Sequence, residues 1–131
     1  MDNWKKIGKL LALFFALLLG FAACRSKEGN EGTKIKTQVL KGLYSYGPEI
    51  KSFTDCRDEG REYWVADSSK NLELAYNNLG FEKPYIPVYI EVECHIVKSD
   101  TNSIYGDYDS TMVVTKVLKI SKDIPDGPCN Q

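Results

Sequence analysis

From residue 35 onward, hydrophobic and polar positions alternate in short runs broken by turn residues. The most regular run is 88–97, VYIEVECHIV, where Val88, Ile90, Val92, Cys94 and Ile96 alternate with Tyr89, Glu91, Glu93 and His95. Successive side chains of a strand point to opposite faces, so this run predicts a strand with one apolar and one solvated face. Residues 37–46, TQVLKGLYSY, predict an earlier strand that ends at Gly47-Pro48, a turn signal. Residues 49–55, EIKSFTD, predict its partner, and Arg57-Asp58-Glu59-Gly60 reads as a polar turn before a third strand at 62–66, EYWVA. The period then changes. Leu72, Ala75, Tyr76 and Leu79 fall at helical spacing, with Asp67, Ser68 or Ser69 as N-cap and Gly80 where a C′ glycine belongs. Pro84 and Pro87 return the chain to extended structure. A polar hairpin loop is expected at 99–110, a last strand at 111–121 and a turn-like tail after it.

The order is strand, strand, strand, helix, strand, strand. Five strands with one helix between the third and fourth is the order of an OB-fold, a small, partly open Greek-key barrel. A generic β-barrel with one helix is the alternative.

The first 34 residues follow another pattern. Lys5, Lys6 and Lys9 precede an uncharged run from Leu10 to Ala23. These fourteen residues are too few to span a bilayer core, which needs roughly 20, and they fit the h-region of a secretory signal. The segment ends Gly20-Phe21-Ala22-Ala23 before Cys24, which resembles the lipobox of bacterial lipoproteins, with phenylalanine where an aliphatic residue is preferred. The resemblance implies cleavage before Cys24, diacylglycerol on its thiol and acylation of the new amine. Two or more acyl chains anchor stably, at about 0.8 kcal/mol per buried methylene. Arg25 follows the cysteine, which by analogy with a Gram-negative sorting rule argues against inner-membrane retention. Residues 25–34, RSKEGNEGTK, have no apolar side chain and read as a tether, reaching roughly 30 Å at most. The expected organisation is thus a signal peptide at 1–23, a lipidated cysteine and tether at 24–34, and an OB-like domain at 35–131.

Charge narrows the partners. The chain has 17 basic and 18 acidic residues; loss of the leader takes three lysines and one aspartate, giving a net charge of -3. There is no basic surplus to neutralise phosphates, so nucleic acid is not an expected partner. The expected partners are the membrane, through Cys24, and an envelope protein or glycan.

Once Cys24 is assigned to lipid, three cysteines remain. Cys94 lies on the apolar face of its strand and reads as a buried small hydrophobe. Cys56 ends a strand and Cys129 lies in the tail, which favours Cys56–Cys129, with Cys56–Cys94 as the second pairing.

A wider resemblance rests on several residues. Gly42-x-Tyr44-x-Tyr46, Ser52-Phe53-Thr54-Asp55-Cys56, Pro87-Val88, Val92-Glu93-Cys94-His95 and Cys129 resemble the NlpE C-terminal domain family. NlpE lipoproteins of the Gram-negative outer membrane are linked to envelope-stress signalling, surface adhesion and copper tolerance. The resemblance implies an OB-fold, an outer-membrane location and a disulfide matching Cys56 and Cys129. The family's N-terminal lipocalin-like barrel and its C-x-x-C motif have no counterpart in these residues, so metal, redox and signalling roles do not carry over. The family has glycine where this chain has Cys94.

No catalytic constellation is legible, and an enzyme is not expected. The single histidine, His95, shares a strand face with Glu91 and Glu93; the set could hold a divalent ion, but a solvated strand face is the preferred reading. No metal or cofactor is expected. Asp100, Asp107 and Asp109 crowd the last loop without the twelve-residue calcium pattern and read as solvated. Tyr63 and Trp64 face opposite ways, so one is expected at the surface. Tyr44, Tyr63, Trp64 and Tyr89 are the candidate ligand-facing aromatics, because exposed rings stack on ligands in OB-folds. The competing reading places these rings in or beside the core. The function expected is a non-catalytic binding or sensing module; the alternative is an inhibitor of an envelope or cell-wall enzyme.

Overall fold

The computed structural model describes residues 34–58, 60–100, 102–103 and 106–130. The leader, Cys24 and the tether up to residue 33 lie outside the described residues, as do Glu59 and Tyr105. Five strands and one helix follow in the expected order: β1 (Gln38–Tyr46), β2 (Lys51–Asp55), β3 (Glu62–Asp67), α1 (Leu72–Asn78), β4 (Val88–Lys98) and β5 (Ser110–Ser121). The strands close a barrel in the order β1-β2-β3-β5-β4. All pairings are antiparallel except β3 with β5, which is parallel from Trp64↔Thr111 to Asp67↔Val114.

The β1–β2 register sets Tyr44 opposite Phe53, and both are fully buried. Gly42 lies two residues along, against Asp55. A Cβ there would stand 2.1 Å from the Thr54 carbonyl oxygen and 2.5 Å from the Phe53 ring, so the close approach of β1 to β2 requires glycine. β2 starts at Lys51, two residues later than expected. Gly47 N–H donates to the Ile50 carbonyl at 3.0 Å, which keeps Pro48, Glu49 and Ile50 in the turn.

Val88, Ile90, Val92 and Cys94 of β4 are fully buried, as its alternation requires. β5 departs from simple alternation. Its pairing with β4 shifts twice, between Glu91 and Val92 and between Glu93 and Cys94. Each bulge puts an extra residue, Leu118 and Thr115, on β5. Its inward positions therefore run Met112, Val114, Val117 and Ile120.

Helix α1 covers one end of the core with Leu72 and Tyr76. Asn71 occupies the cap position without a side-chain cap bond. The capping role falls to Asp67, whose Oδ2 accepts from the Leu72 and Glu73 N–H groups at 2.9 and 3.0 Å. Gly80 follows the helix at φ +69°, the left-handed position expected of it.

Candidate functional site

The four aromatics read from sequence as ligand-facing are all buried, and each is covered differently. Tyr44 points into the barrel with no exposed surface. Its ring packs against Tyr46 and Tyr76 at centroid distances of 6.2 and 5.8 Å. Burial first, and then the charges of Glu73 and Asp67, push its phenol far above the ordinary tyrosine range. Tyr63 joins the same core and tilts against Phe53 at 6.3 Å. Trp64 faces the other way, as alternation requires, yet it is only 7% exposed. Tyr108, from the β4–β5 loop, meets it edge-on at 5.7 Å. Strand phase therefore separates Tyr63 from Trp64 but does not expose either, because a distant loop folds back over the outer ring.

Tyr89 is the fourth of these rings. It lies on the outward face of β4 but is 5% exposed. It shares a cavity of about 240 Å³ with Lys41, Cys56 and the tail residues Pro125, Pro128 and Cys129. Its hydroxyl donates to Glu91 Oε1 at 2.8 Å, and the Lys119 ammonium stands 5.7 Å from its ring centroid. Burial, with the Glu91 hydrogen bond and charge, pushes its pKa up to about 12. The Tyr89 hydrogen bond, with Lys41 and Lys119 nearby, in turn lowers that of Glu91.

The tail reaches Tyr89 because Cys56 and Cys129 are joined, with Cα atoms 4.7 Å apart and a sequence separation of 73. The preceding residue holds the bridgehead turn. Asp55 is 6% exposed, and its Oδ1 accepts from Arg57 N–H at 2.9 Å. Cys94 is free and buried, and burial pushes its thiol up to about 11. Among the described residues no group of three His, Cys, Asp or Glu side chains is placed to hold a metal. Glu91 is taken by Tyr89 and Lys41, and His95 pairs with Val113 in the β4–β5 ladder. In the last loop, Asp100 Oδ1 accepts from Asn102 N–H at 3.0 Å.

A recess opens where β3 outruns β2. The β2–β3 pairing ends at Ser52↔Trp64, whereas β3 continues to Asp67 against β5. The β3 edge beyond Trp64 thus has no strand partner on the β2 side. Beside it lies a cleft of about 620 Å³, walled by Pro48, Glu49 and Lys51 on one side and by Trp64 to Asp67 and Thr111 on the other. Ile50, in the same turn, is 43% exposed. Lys51 bonds to Glu73 of α1, which ties the turn to the helix.

The turn is also held from behind by Tyr85. Its N–H donates to the Tyr46 carbonyl at 2.9 Å, and its hydroxyl accepts from Glu49 N–H at 3.2 Å. Tyr85 does this at φ +67°, a left-handed conformation that costs an aromatic residue about 1–2 kcal/mol. Neither Tyr85 nor Tyr108 has a local sequence signal; both act across long sequence separations.

The comparisons with known proteins agree with this architecture. The family model of the NlpE C-terminal OB domain matches residues 34–129. The chain belongs to that family. Among solved structures, the crystal structure of the Cpx pathway activator NlpE from Escherichia coli superposes with a TM-score of 0.52 at 23% identity. The match covers 67% of this chain and 42% of that one, so the chain spans less than half of the NlpE structure. At this identity the likeness to NlpE concerns the fold. No curated protein matches the chain.

Proposed function

We propose that the chain is a lipoprotein of the bacterial envelope, anchored through Cys24, whose OB domain is a non-catalytic binding module. The observation that carries this reading is the combination of an NlpE C-terminal OB domain with a leader that ends in a lipobox at Cys24. The domain would bind through the cleft beside β3, where the end of that strand and the β1–β2 turn offer contacts to an extended segment of a protein or glycan partner. Arg25 and the family resemblance support the outer membrane as its location.

Growth with labelled palmitate tests the anchor. Label on the wild-type chain, its loss in Cys24→Ser and accumulation of the uncut precursor are expected. An unlabelled wild-type chain would overturn the anchor. Photo-cross-linking from a probe at Glu49 in the intact envelope tests the module, and a specific adduct that disappears when Ala66 is replaced by arginine is expected. Adducts unaffected by that substitution would move the binding surface elsewhere.

A further inference from the structure

A second cleft, of about 440 Å³, lies on the far side of the β1–β2 turn, and Pro48 lines both. Its floor is a row of rings. Tyr76 of α1 meets Tyr46 at 5.4 Å and Phe81 at 5.5 Å. Tyr46 and Phe81 are half-buried, so part of each ring reaches the surface. Asn77, Glu82 and Lys83 stand around the row, and all three are exposed. We infer that this cleft is a binding site for a neutral oligosaccharide.

Three observations carry the assignment. The first is the pairing of an aromatic floor with a rim that holds an amide, a carboxylate and an ammonium group. The apolar C–H face of a sugar ring stacks on aromatic side chains, and its hydroxyls need donors and acceptors together. The second is charge. Glu82 opposes Lys83 and Glu73 nearby is matched by Lys51, which leaves the Lys122 ammonium over Phe81 as a single surplus charge and no pair of cations to grip an anion. The third separates a sugar from a proline-rich peptide. Such a peptide is gripped by ring hydroxyls that donate to its carbonyls, but the Tyr46 hydroxyl already donates to Glu73 and the Tyr76 hydroxyl to the Ile86 carbonyl.

The wall of the cleft is held in one shape. Tyr85 clamps the turn through its two hydrogen bonds, and a Cβ on Gly47 would lie 2.2 Å from the Tyr85 ring. A left-handed tyrosine maintained beside a cleft is strain located where a preformed wall has a use. The Lys122 ammonium rests 4.7 Å from the Phe81 centroid and the Lys51 ammonium 5.5 Å from that of Tyr46. Lys51 is held by Glu73, whereas the Lys122 side chain is one that a stacking sugar can displace.

The test is a titration of the full chain, in a detergent without a sugar headgroup, with a neutral trisaccharide of glucose and one of N-acetylglucosamine. Amide shifts are followed by NMR. Shifts confined to Tyr46, Asn77, Phe81 and Glu82 are expected, with affinity lowered about tenfold in Phe81→Ala. Asn77→Ala and Glu82→Ala change exposed side chains, keep the fold and are expected to weaken binding as well. No shift at millimolar sugar would overturn the assignment. So would shifts produced only by a proline-rich peptide, or sugar-induced shifts at Val65 to Asp67, which would return the ligand to the β3 cleft. None of these results depends on palmitate labelling, so the anchor and the sugar site can fail separately.

Discussion

Replacing Tyr44 with phenylalanine removes one oxygen from the centre of the barrel. That oxygen is fully buried and has no hydrogen-bond partner among the described residues. A buried hydroxyl left unpaired costs about 1–3 kcal/mol, whereas a phenyl ring keeps the contacts with Tyr46 and Tyr76. Tyr44→Phe is therefore expected to stabilise the domain by about 1–3 kcal/mol, raising Tm by roughly 4–8 °C for each kcal/mol. The same residue governs the alkaline limb. Its folded pKa lies above its unfolded value near 10, so above that pH the unfolded chain releases a proton that the folded chain keeps. The stabilisation is complete below about pH 10 and is lost as pH rises, by about 1.4 kcal/mol per pH unit. Tyr44→Phe removes this contribution. Those of Cys94, between about pH 9 and 11, and Tyr89, between about pH 10 and 12, remain. Urea unfolding followed by circular dichroism at pH 7 and at pH 11 measures both effects. A loss of 1 kcal/mol or more at pH 7 would mean that the hydroxyl is hydrogen-bonded in solution, and an unchanged pH slope would mean that another group carries it.

Other outcomes follow from the same packing. The Cys56–Cys129 bridge closes a loop of 73 residues, so Cys56→Ser with Cys129→Ser is expected to cost roughly 4 kcal/mol of unfolding free energy. An unchanged denaturation midpoint would show that the bridge only pins the tail. Gly42→Ala meets the Thr54 carbonyl and the Phe53 ring and is expected to cost at least about 1–3 kcal/mol in the same assay; a neutral result would mean that β1 sits farther from β2. Asp67→Ala frees the Leu72 and Glu73 N–H groups and is expected to cost about 1 kcal/mol, with faster amide exchange at those two positions than elsewhere in the domain. The Cys94 thiol is expected to resist a maleimide reagent until urea unfolds the barrel; rapid labelling of native protein would contradict its burial.

Element order and the pairing of β1 with β2 are readable from alternation and turn residues, because both are local properties. The β4 core face is equally legible in Val88, Ile90, Val92 and Cys94. The double bulge of β5 is not, because it arises from the mismatch between two strands that curve together, and Leu118 and Thr115 look like ordinary strand residues in isolation. Trp64 and Tyr89 mark the same boundary at the surface. Alternation gives the side of the sheet on which each ring lies, and it cannot tell that Tyr108 or the tethered tail will lie over it. Tyr85 and Glu73 are invisible for the same reason: their partners are 36 and 22 residues away.

The parallel pairing of β3 with β5 also has a consequence in time. Until residues 110–114 are available, β3 and β4 each have an unsatisfied edge, and no earlier segment fills either. β5 satisfies both at once. A chain delivered from its N-terminus thus carries an open β3 edge once Asp67 is made and a second on β4 once Lys98 is made, and loses both in a single late step. Products that end before Ser110 are expected to aggregate or be degraded, whereas those that lose only residues after Ser121 keep a closed barrel.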